Sequence, residues 1–124
     1  MKYKLNINNR AFKAICENKK RVEIRATKIG ENQFDYKKIK ANDFIEFNSF
    51  TGDKALCLVE KVNHYSSIEQ LLIQEGTKYT LSSTNDFNKG IESINSIDGY
   101  KVAIKENGIY AIHIIPLSKV YKLL

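Results

Sequence analysis

The first 26 residues change hydrophobic period twice with no linker between the segments, and that limits what the chain can become. "YKLNI" alternates, with Leu5 and Ile7 on one face, and "NNRAFKAICEN" then takes up helical spacing that groups Phe12, Ile15 and Cys16. "KKRVEIRA" alternates again, putting Val22 and Ile24 on one face and Arg21, Glu23 and Arg25 on the other. A strand, a helix and a strand in such short order call for an α+β fold. Asn8 or Asn9 can cap the helix, and Asn18 falls at its end, where a left-handed residue is wanted.

The rest of the chain continues the mixture. "DYKKIK" predicts a turn or short helix, and "ANDFIEFNSF" a strand. "TGDK" predicts a hairpin turn, and "ALCLVEKVNHY" a long returning strand with Leu56 and Leu58 opposed to Cys57 and Val59. "SSIEQLLIQEG" opens on a serine cap, places Ile68, Leu71 and Leu72 at helical spacing and stops at Gly76. Phe87, Ile91, Ile94 and Ile97 suggest a further helix with Gly90 as its weak point. "GYKVAIKENGIYAIHIIPL" is expected to close the fold as one or two strands joined at "ENG". About five or six strands with two or three helices form one domain over residues 1–124, a small curved sheet or β-barrel.

Composition narrows the functional classes. Apolar runs are only a few residues long, so no membrane span is expected. The start "MKYKLNINNR" lacks the apolar stretch of a secretory signal, which favours a cytoplasmic protein. Cys16 and Cys57 are far apart and read as buried free thiols. His64 and His113 share no ligand spacing with them, so neither a metal nor a cofactor is expected. The net charge of +6 favours polyanionic partners. Seventeen of the twenty basic residues are lysine, a bias that a genome rich in A and T would also produce. Two of the three arginines, Arg21 and Arg25, fall in the same charged strand, and arginine suits bidentate and stacked contacts.

Four segments in order carry a family resemblance. They are "ICENKKRVEIR", matching I-x-x-G-x-K-x-x-E-x-R with Asn18 in the glycine position; "IKANDFIEF", with Asn42 in another; "VNHYSSIEQLL"; and "GIYAIHI". Over residues 5 to 117 the chain resembles an ASCH domain, the activating-signal-cointegrator homology module of the PUA-like superfamily. Asn is the residue that best replaces Gly at positive φ, so both departures suit the fold. The resemblance implies a β-barrel flanked by helices and a cleft beside the Lys-Glu-Arg strand that receives RNA or a nucleotide-like ligand. The residues it points to are Lys20, Glu23, Arg25 and Tyr65.

Arg25 offers a fork of donors for a phosphate or base edge, Lys20 a mobile charge, and Glu23 an acceptor for an amine or ribose hydroxyl. Without the resemblance, Arg21, Glu23 and Arg25 would read as a charge ladder on a solvated face, worth ~0.2–1 kcal/mol per pair. Tyr36 and Phe34 could close over a ligand or belong to the core, and His113 reads as a satisfied core or edge histidine. Some members of the family are hydrolases. The best-known type deacylates an acetylated cytidine with a threonine three residues after the motif lysine, where this chain has Glu23. That activity is therefore disfavoured, and a ribonuclease or a hydrolase of another modified nucleoside is the enzymatic alternative.

Overall fold

The computed structural model describes residues 1–117, within which lie five strands and four α-helices, with one short 3-10 turn at Tyr36–Lys38. In chain order they are β1 (Lys2–Ile7), α1 (Asn9–Cys16), β2 (Val22–Arg25), β3 (Phe44–Ser49), β4 (Lys54–Tyr65), α2 (Ile68–Glu75), α3 (Phe87–Asn95), α4 (Tyr100–Asn107) and β5 (Ile109–Pro116). One curled sheet has the order β1-β3-β4-β5-β2, with β1 parallel to β3 and the other pairs antiparallel. The register of β4 on β5 slips between Val59 and Lys61, and such a bulge bends a long strand. The sheet is an α+β half-barrel, as the sequence suggested.

The two edge strands are neighbours in sequence, joined through α1 and the turn that follows it. Curling brings them face to face: the Arg25 guanidinium on β2 donates to the Asn6 carbonyl on β1 at 2.8 Å. Phe12 and Ile15 of α1 pack with Leu5, Ile45, Phe47 and Ile112 on the inner face. Outside, α2, α3 and α4 cover Val22, Ile24, Ile109 and Ala111 in a second core. Both cores are closed by apolar burial, the largest favourable contribution to folding.

Local devices match the sequence. The Asn8 side chain accepts from the Ala11 N–H, and Ser67 from that of Gln70, caps worth ~1 kcal/mol each. Asn18 and Asn42 both have positive φ, +60° and +75°. After Asn18 the N–H groups of Lys19 and Lys20 return to the Ala14 carbonyl, which aims Lys20 back toward the sheet. Helix α3 tolerates Gly90 because a Cβ there would lie 2.5 Å from Leu81 Cδ1.

One expectation is corrected. "GYKVAIKEN" alternates on paper but forms helix α4, with Tyr100, Ala103 and Ile104 buried and Val102 exposed. The three buried positions follow helical spacing, and Gly99 and Gly108, both at positive φ, bound the helix. "ENG" is thus a helix end, and one strand follows it. No helix among the described residues is long and apolar enough to cross a membrane.

Candidate binding cleft

The charged face of β2 is buried. Glu23 lies opposite Ile112 and Arg25 opposite Tyr110, both on the inner side of the sheet, whereas Val22 and Ile24 point to the helices. Both faces of the strand are therefore covered, and the solvated charge ladder does not form: Lys20 is 4% exposed and Glu23 6%. Arg21 alone stays outside, with its guanidinium 4.2 Å from the ring centre of Tyr79.

Lys20, Glu23 and Arg25 meet as one network. Glu23 Oε2 accepts from Arg25 Nε at 2.9 Å and pairs with Nη2 at 2.8 Å, while Glu23 Oε1 lies 3.4 Å from Lys20 Nζ. The lysine also donates to the Thr80 carbonyl, and Arg25 Nη1 donates to the Tyr36 hydroxyl at 3.2 Å. The loop bearing Thr80 is fixed from below, because the N–H groups of Arg21 and Val22 donate to the Tyr79 carbonyl. Lys20 is thus held by a segment sixty residues away in sequence.

Burial alone would drive the Glu23 carboxyl up, but the charges of Arg25 and Lys20 outweigh it and hold the group below the usual carboxylate range. For Lys20 the balance goes the other way. Burial lowers the ammonium below its ordinary value despite Glu23. Arg25 is raised: burial opposes its charge, but Glu23 prevails. With all three ionised the network carries one net positive charge.

These side chains floor a cleft of about 330 Å³ between the two sheet edges and α3. Its walls carry Asn6, Arg10, Ser82 and Ser93, with apolar surface from Ile97 and Tyr100. Arg10 Nε is 3.4 Å from the Ser82 hydroxyl. Phe50, at the β3–β4 turn, stands at the rim and is 75% exposed. An apolar ring that open adds little burial to the fold. Phe50 escaped the sequence reading; the one signal was an aromatic residue placed directly before the "TGDK" turn.

Tyr65 is elsewhere. Its hydroxyl donates to Glu75 Oε2 at 2.6 Å, where Asn63 Nδ2 also binds at 2.8 Å, and His113 Nε2 sits 2.8 Å from Glu75 Oε1. Burial and Glu75 push the Tyr65 hydroxyl up to about 12. This cluster packs against the outer core and does not line the cleft. His113 is accordingly a partnered histidine. Phe34 and Tyr36 pack edge-on at 4.8 Å against the inner core, Tyr36 also receiving Arg25. Among the described residues no group of three His, Cys, Asp or Glu is placed to hold a metal ion.

No protein-family model and no curated protein matches the chain. Solved structures do match it. A crystal structure described as hypothetical protein PH0355 superposes with a TM-score of 0.78 at 26% identity, covering 94% of this chain and 100% of that one. The solution NMR structure of protein PF0455 from Pyrococcus furiosus gives 0.71 at 25% identity, covering 95% and 99%. The chain is similar to these two nearly end to end, and neither name states an activity.

Proposed function

We propose that this protein is an ASCH-like, PUA-like domain of the cytoplasm that binds a nucleotide-like ligand, or one nucleotide of an RNA, in the cleft floored by Lys20, Glu23 and Arg25. The observation that carries the reading is the buried network itself, two cations on one carboxylate at the bottom of an open cleft. Burying three ionised groups costs several kcal/mol per ion unless each is well paired, so apolar residues would serve stability better. Net positive charge, serine hydroxyls, a guanidinium at the wall and an open phenyl ring at the rim suit a phosphate, a ribose and a base. A volume of about 330 Å³ is at the small end of ligand sites and suits one nucleotide unit.

In this reading Glu23 orients the cations. Its oxygens are both engaged, and the ligand meets the donors that Lys20 and Arg25 have left. The same engagement removes Glu23 as a nucleophile. A hydrolase of RNA or of a modified nucleoside is the second reading, favoured by the lowered pKa of Lys20 among hydroxyls.

Calorimetric titration with nucleoside monophosphates and short RNA tests the first reading. Arg10→Ala and Phe50→Ala, both at exposed positions, are expected to weaken monophosphate binding about tenfold each with unchanged melting temperature. Absence of binding by the unmodified protein sinks the proposal. Incubation with RNA and acylated nucleosides, beside Lys20→Ala, tests the second; turnover must appear and must depend on the lysine.

A further inference from the structure

The cleft does not end at Arg25. Arg25, Ile97 and Tyr100 also wall a second depression, which shares Lys28 and Gln33 with a third, and this in turn shares Lys37, His64 and Tyr110 with a fourth. The third is the roomiest, about 840 Å³. Three shared walls thus set the four depressions side by side, from the buried network, past the end of β2 and around to β4. The far half of this row carries Lys28, Lys37, Lys40 and Lys61 against Asp35 and Glu106, an excess of positive charge. In the middle, the exposed His64 ring lies 4.7 Å from that of Tyr110, and His64 Nε2 is 2.8 Å from the Asn107 carbonyl. That bond fixes the imidazole ring at an exposed position. The residues come from four separate places: the loop after β2, the end of β4, α4 and β5.

We infer that the four depressions together form a groove, the track of a single-stranded nucleic acid, with one nucleotide in the Lys20–Glu23–Arg25 cleft and the following ones running over Lys28 to the His64–Tyr110 pair. The inference rests on the nucleotide reading of the cleft. Lysines spaced along a groove meet successive phosphates, and an exposed fixed ring offers a stacking platform for any base. A compact mononucleotide would leave all of the far half unused.

Fluorescence anisotropy with a nucleoside monophosphate and single strands of increasing length, as RNA and as DNA, tests it. A hexanucleotide is expected to bind about tenfold or more tightly than the monophosphate. His64→Ala and the pair Lys37→Glu with Lys61→Glu should remove most of that gain and leave monophosphate affinity unchanged. Monophosphate binding with no gain from length overturns the groove and keeps the cleft. Failure of the monophosphate and of every strand overturns the cleft reading and the track with it. Polyglutamate binding as tightly as the hexanucleotide would overturn the track, because charge alone would then explain it. The RNA and DNA arms identify the strand, a preference for RNA supporting contact with the ribose hydroxyl and equal affinity supporting contact with phosphates and base faces alone.

Discussion

Glu23→Ala is expected to cost about 3–5 kcal/mol of folding stability, which is much of what a domain of this size has to lose. The carboxylate is the shared partner of two buried cations. Removing it leaves Lys20 and Arg25 facing each other with no counter-charge, and both side chains are fixed by other bonds to Thr80 and Asn6. Urea unfolding checks this. A loss below 1 kcal/mol would mean that the cations escape to solvent and that the network is not a built site. The double variant Glu23→Ala with Lys20→Met should recover part of the loss, since it removes one stranded charge. The pH dependence has a definite sign. The folded-state pKa of Glu23 is lowered, so its stabilisation is complete above the ordinary carboxylate value, above about pH 5, and is lost as pH falls through the folded value. Glu46 and Glu75 are lowered too and act in the same window. Stability of the Glu23→Gln variant should therefore fall less steeply with acid than that of the parent, without becoming flat.

Gly108→Ala comes next, with an expected cost of ~3 kcal/mol or more. The residue joins α4 to β5 at φ 74° and ψ −162°, a region open essentially to glycine alone. An added Cβ would also collide with the His64 imidazole and lie 2.5 Å from the Tyr65 carbonyl oxygen, and backbone cannot swing aside as a flexible side chain can. Thermal unfolding measures the effect. Gly52→Ala is the control, because its φ of 88° is also positive but nothing lies within 4 Å of its Cβ. It should lose only the conformational part, about 1–2 kcal/mol, and equal losses at both sites would remove the collision from the account.

How legible the molecule was from its residues follows the range of the interactions. Asn18 and Asn42 gave away two positive-φ positions, since that preference belongs to the residue itself. The caps at Asn8 and Ser67 and the turn at "TGDK" are equally local. Lys20, Glu23 and Arg25 were picked out through the family motif, yet their burial could not be read. It depends on β1, the Tyr36 turn and the Thr80 loop, which reach the strand only after folding. Tyr65 was placed in the cleft by the resemblance, but it pairs with Ile109 and packs on the outer core, where its hydroxyl reaches Glu75 of α2 instead. Helix α4 was missed for a different reason. Val102 and Ile104 alternate like a strand, and only the contacts of Tyr100 and Ala103 with the outer core choose the helical period.

The meeting of β1 and β2 across the cleft has a consequence for association. Each edge strand holds backbone donors and acceptors of the kind that recruit a strand from another molecule. Here the edges look toward each other over the cleft, bridged by the Arg25 guanidinium. A ligand in the cleft would touch both edges and so take the part of a sixth strand, closing the half-barrel toward a ring.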